Sequence, residues 1–151
     1  MAGKTTGVFP VRANNFEVKT GGTGSTDTWS TVAELEECIV KVDNTTEEWN
    51  TFAGEGWGSS LVTGKKSSIE LKGKRCLGDA GNDFIANKLL EMGADAYVSA
   101  RITMPDGTVL TWDKMACAVS NNGASGGATN VGALEAMLTG HGKPTKTTAK
   151  T

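Results

Sequence analysis

This sequence predicts an α+β fold, mainly β and antiparallel, and three observations carry that reading. Several segments alternate apolar and polar residues at the period of a half-buried strand. One segment alone has helical spacing with caps at both ends. Glycine is abundant and proline scarce, 20 against 3 in 151 residues, which favours turn-rich β structure over a helix bundle.

The elements follow in chain order. Residues 1–15 read as an irregular arm, and "NFEVKT" as a short strand. "GGTGSTDT", 21–28, has the composition of a flexible loop. In "WSTVAELEECIVKVDNTT" the start is ambiguous, because Val32, Leu35 and Cys38 also fit a helical face. Its second half alternates, which predicts a strand over Leu35 to Asp43. "EEWNTFAGEGWGSSLVTGKK" has neither period, so 44–66 is expected as a loop. "SSIELKGKR" alternates again, with Ile69, Leu71 and Gly73 on one face.

The helix is expected over 78–93, with Asp79 or Asn82 as cap. Phe84, Ile85, Lys88, Leu89 and Met92 form its stripe, and Gly93 closes it. A hairpin follows, from Ala96 to Met104 and back from Val109 to Val119 across the turn "PDG". After the loop "SNNGASGGATN", a last alternating run spans Val131 to Thr139. The tail, 141–151, is polar, basic and without periodicity, hence disordered when alone. Roughly five or six strands and one helix on a sheet face or end make a single domain, 1–151.

Much chemistry is excluded. The net charge of −2 leaves no duplex-binding footprint. Cys38, Cys76 and Cys117 are odd in number and far apart, which argues against a zinc site or a disulfide framework. The only histidine, His141, has no visible catalytic partner. "GSSLVTGKKSS" fails as a phosphate loop: its glycine spacing is wrong, and Lys66 stands where a hydroxyl should bind magnesium. The N-terminus has no apolar leader and no run approaches a membrane span, so neither export nor a membrane partner is expected.

Charge is segregated. Acids Glu34, Glu36, Glu37, Asp43, Glu47, Glu48 and Glu55 precede the bases Lys65, Lys66, Lys72, Lys74 and Arg75. Three readings are open: a paired-carboxylate hydrolase, two solvated strands, or acidic and basic edges that meet between copies. The third is preferred, because charge arranged this way sets register between partners.

The order of these pieces resembles the tail tube (major tail) proteins of long-tailed bacteriophages. The pieces are "EEWNTFAGEGWGSSLVTGKK", "SIELKGKR", "GDAGNDFI" opening the helix, the "PDG" hairpin and "GGATNVGALEAMLTGHGKP". The similarity covers roughly residues 30–144, and the order and spacing of the pieces carry it rather than any single motif. It implies an antiparallel β-sandwich or half-barrel with one flanking helix. It implies hexameric rings stacked into a hollow tube that conducts DNA, with no enzyme activity, cofactor or metal. The partners implied are further copies, a tape measure, tail tip and terminator proteins, and viral DNA gripped without sequence preference. The implied place is the virion tail, assembled in the host cytoplasm. Tubes of contractile tails and of type VI secretion share this architecture and are the alternative. Some members append an immunoglobulin-like domain; none is expected here.

The resemblance gives the aperiodic loop a use, because a glycine-rich segment with no core needs a partner surface to cover its aromatics. Trp49, Phe52, Trp57, Lys65 and Lys66 are the expected inter-subunit contacts. Glu34, Glu36, Glu37 and Asp43 are the candidate lumen-facing acids. The arm, the loops 21–28 and 44–66 and the tail are expected to be mobile in a free monomer. Two readings of other classes remain: a carbohydrate-binding module using Trp29, Trp49, Trp57 and Trp112, and a small hydrolase using the acidic cluster.

Overall fold

A computed structural model describes residues 7–22 and 27–148 of the chain. The strands are β1 (Asn15–Gly21), β2 (Thr28–Thr31), β3 (Leu35–Asn50), β4 (Gly58–Lys74), β5 (Tyr97–Thr103), β6 (Val109–Asn122), β7 (Ala133–Gly140) and β8 (Thr145–Thr147). Helix α1 spans Ala80–Ala86. All neighbouring strands are antiparallel, in the order β2-β1-β5-β6-β7-β4-β3, with β8 added beside β6.

Alternation decides which face is buried. In β5, Val98, Ala100 and Ile102 point inward between half-exposed neighbours. Ile69 and Leu71 of β4 and Leu134, Ala136 and Leu138 of β7 do the same. These residues join Phe16, Val18, Trp112 and Met115 in one core. Strands β1 and β3 lie far apart in the sheet order, yet Phe16 and Cys38 line one groove. One continuous sheet therefore curls on itself as a half-barrel, with α1 against β1, β2, β6 and β7.

Three sequence expectations need correction. The helix is shorter than 78–93: it ends at Ala86, and a separate 3-10 turn occupies Gly93–Ala96. Ile85 and Ala86 meet the core, whereas Leu90 and Met92 are more than four-fifths exposed (86% and 83%), so nothing sustains the later turns. The segment 44–66 is not a loop. β3 and β4 pair in register from Leu35↔Gly73 to Asn50↔Gly58, leaving only a short connection at the tip. Its backbone ladder needs no apolar period because both faces of this stretch are exposed. The tail is not wholly irregular, since Thr145–Thr147 pair with Val109–Thr111.

Of the segments expected to be mobile, 1–6, 23–26 and 149–151 lie outside the described residues. Residues 7–14 hold a short 3-10 turn, Val11–Ala13, with no buried residue.

Two close contacts lock the body together. A Cβ on Gly81 would stand 2.6 Å from the Thr31 carbonyl oxygen, so only glycine lets α1 sit against β2. Trp112, buried in β6, donates its indole N–H to Ser67 Oγ at 3.0 Å. Ser67→Ala strands that N–H in the core, and a loss of about 1–3 kcal/mol is expected in urea unfolding. A change under about 0.5 kcal/mol means that the indole finds another partner.

Candidate functional site: the projecting hairpin

β7 pairs with β4 only over Ser68–Lys74. Beyond that point β3 and β4 have no other strand beside them among the described residues. The two strands run on from Val42 to Asn50 and back from Gly58 to Ser67. At about 3.3 Å per residue this arm projects about 25 Å. Thr63 is the extra residue of a bulge opposite Thr45/Thr46, which adds local twist.

The tip reverses through a 3-10 turn, Phe52–Gly54, then Glu55 in the left-handed region at φ 52° and Gly56 at φ 91°. Trp57 N–H closes it by donating to Gly54 O at 2.9 Å. Phe52 and Trp57 are bare, at 106% and 81% exposure. Trp49, Leu61 and Val62 on the strands behind them are about half exposed. A contiguous apolar tip of this kind marks an interaction surface rather than a core.

The charged residues fall into register along the same hairpin. Asp43 stands opposite Lys66, and Glu37 opposite Lys72. Lys74 Nζ donates to Glu36 Oε1 at 2.9 Å, and Lys65 Nζ to Asn44 Oδ1 at 2.6 Å. The hydrogen bond and charge of Glu70, then Glu37, push the Lys72 pKa upward. The acidic and basic clusters thus meet within one chain, which corrects the expectation that they meet between copies. The spacing that keeps them apart in sequence is the length of a hairpin.

The candidate lumen acids do not form one row. Glu34 sits in a tight turn at φ 59°, its carbonyl oxygen accepting from the Lys74 N–H. Glu36 belongs to a bulge and is tied to Lys74. Glu37 and Asp43 share the face of β3 that points away from the core.

The four tryptophans do not form a sugar platform. Trp112 is in the core, and Trp29 lies under the Arg101 guanidinium, 4.5 Å from its ring centre. Arg101 is held there by two hydrogen bonds to Glu17, at 3.2 and 3.1 Å. Only Trp49 and Trp57 belong to the arm.

A groove of about 560 Å³ opens where the two ends of the curled sheet approach. Phe16, Ile102 and Leu110 line one side, Leu35, Cys38 and Val40 the other, with Arg12, Glu34, Glu36 and Glu37 also on its lining. The sequence does not reveal this groove, because its two walls come from distant strands. No histidine joins the carboxylates there. Among the described residues, no cluster of three or more His, Cys, Asp or Glu side chains is placed to hold a metal.

Burial raises the thiols of Cys38 and Cys117 to about 11. Both are neutral in the folded chain, so the unfolded chain loses these protons first as pH rises above 9.0, the ordinary value. Their contribution to stability is complete below pH 9 and is lost as pH climbs toward 11. Alkylation of Cys38 at pH 8 is expected about a hundredfold slower than that of an unfolded peptide. Equal rates mean that the thiol is in free contact with water.

No protein-family model matches the sequence, and no curated protein matches it. Solved structures do match. A chain from the tail of an empty gene transfer agent particle, refined with C6 helical symmetry, aligns with TM-score 0.68 at 16% identity. That alignment covers 93% of this chain and 99% of the other. The chain has the fold of a tail tube protein.

Two further tube-fold matches come from contractile machines. A chain of the sheath/tube terminator of an extracellular contractile injection system, PVC, aligns with TM-score 0.62 at 11% identity, over 94% of this chain and 98% of that one. A chain of the anti-feeding prophage cap aligns with TM-score 0.58 at 13% identity, over 96% and 95%.

Proposed function

We propose that this chain is a structural subunit of a tail tube, built as stacked six-membered rings around a hollow bore. One observation carries the reading: a complete tail tube fold whose longest hairpin leaves the body and ends in bare aromatics. A side-chain arrangement with no intrachain partner is what a polymer subunit needs and a monomer does not. β3 is an edge strand of the sheet, and pairing it between copies would remove an exposed edge.

In this reading the arm is the clamp between copies, with Trp57 as anchor and Trp49, Phe52, Lys65 and Lys66 in support. The face of β3 and β4 that points away from the core is the candidate lumen wall. Glu37, Asp43 and Glu47 of β3 and Glu70 of β4 outnumber Lys41, Lys66 and Lys72 on that face. An acidic wall lets DNA slide, whereas a basic one holds phosphates. The role is mechanical rather than catalytic. The partners are further copies, tape measure, terminator and tail tip proteins, and the place is the virion tail after assembly in the host cytoplasm.

A tube of a contractile injection machine is the second reading, favoured by the fold match to the PVC and anti-feeding prophage chains. The test is negative-stain and helical cryo-electron microscopy of the concentrated protein. Hollow tubes with six-fold rotational symmetry are expected. Another rotational order refutes the hexamer, and a persistent monomer alongside intact tails that lack it refutes the role.

A further inference from the structure

We propose that the groove between the two ends of the curled sheet is the socket for the hairpin tip of a second copy. The inference rests on the tube reading and adds the surface that receives the arm.

Both halves of the contact are present on one chain and unsatisfied. The socket offers Phe16, Ile102 and Leu110 facing Leu35, Cys38 and Val40, and Val40 is 39% exposed. Its volume of about 560 Å³ lies within the range of sites that bury a drug-sized molecule, enough for an indole and a phenyl ring together. The tip offers those two rings, Trp57 and Phe52, bare in the single chain.

A chain cannot fill its own socket. Val40 lines the groove and Asn50 ends the same strand, and a ladder of paired residues joins them. At about 3.3 Å per residue the tip stands about 33 Å from the groove. Insertion therefore has to come from another copy. Tip and socket are different patches, so the contact is head-to-tail and propagates.

Charge chooses this occupant and its direction. Arg12 lines the groove and has no ion pair among the described residues. Glu55 projects from the tip's left-handed turn, also without an ion pair among them. On the opposite rim Glu36 is bound to Lys74 and Glu37 lies against Lys72. Glu34 has no such counter-charge among the described residues, and it repels a tip that enters reversed. A cation on one rim and an acid on the other fix the register of an acidic tip.

The test uses the full chain and three variants: Arg12→Glu, Glu55→Arg and the two combined. Both positions are exposed, so the fold is retained and is checked by circular dichroism. Each single change is expected to raise the concentration needed for tube formation about tenfold, and the combination to restore it to within about threefold. A photo-crosslinking residue at Val40 in assembled tubes is expected to capture a peptide holding Phe52 or Trp57. Capture of residues 7–13, or of another surface, overturns the assignment. Tubes that form normally in both single variants, or a double variant no better than the singles, overturn it while leaving the tube reading intact. Wild-type protein that forms no tube under any condition overturns both.

Discussion

Trp57→Ala is expected to abolish tube assembly while leaving the monomer folded. The indole is 81% exposed and lies outside the core, so its loss costs folding within about 0.5 kcal/mol. Assembly responds differently. A central aromatic at an interface is worth about 2 kcal/mol or more on truncation, which is roughly thirtyfold in affinity per contact. In a stacked ring that loss recurs at every copy, so the concentration for polymerisation moves beyond reach. Circular dichroism and electron microscopy of the same sample separate the two effects. A native spectrum without tubes supports the clamp. Normal tubes show that Trp57 is idle, and a lost spectrum shows that it belongs to the fold.

Asn82→Ala should be the most damaging small change in the body of the protein. Asn82 is fully buried and makes four side-chain hydrogen bonds. Its Oδ1 accepts from the Cys76 N–H at 3.0 Å and from Arg75 Nη1 at 2.8 Å. Its Nδ2 donates to the carbonyls of Ala33, at 3.1 Å, and Lys74, at 3.0 Å. These bonds tie the first turn of α1 to the end of β4 and to the link between β2 and β3. Asp79 caps the Asn82 N–H at 3.0 Å and also accepts from Ala33 N–H at 3.1 Å, so one carboxylate serves both elements. Alanine leaves three backbone groups inside the junction without these partners, at about 1–3 kcal/mol each. A loss of at least about 3 kcal/mol is expected, which lowers the melting temperature by about 10 °C in a chain of this size. Urea and thermal unfolding measure it. A loss below about 1 kcal/mol means that water replaces the amide and that the junction is not a keystone.

Legibility in the sequence follows burial. Ile69, Leu71, Val98, Ala100, Ile102, Leu134 and Leu138 alternate because one face of each strand meets the core, so the residue pattern by itself reveals their strands. Asp79 as cap is readable for the same local reason: an aspartate before a helical run accepts from the free N–H groups of the first turn. The order of these pieces along the chain also suffices to raise the tail tube resemblance, and the fold agrees with it end to end.

The hairpin arm is not legible as strand. Its ladder is held by backbone hydrogen bonds, which all residue types supply, while both faces stay in solvent and carry no apolar rhythm. The helix misleads in the opposite sense. Leu89 and Met92 keep the helical spacing, but no surface stands opposite them, and periodicity records only the chain's side of a contact. Charge segregation is visible in the sequence, but its meaning is not. Whether acids and bases meet within a chain or between chains depends on which strands are neighbours, and only the pairing of β3 with β4 places Asp43 beside Lys66. The groove lies furthest from the sequence. Arg12, Phe16, Cys38 and Leu110 come from four separate segments, and they share a site only because twist and curl bring the two ends of one sheet together.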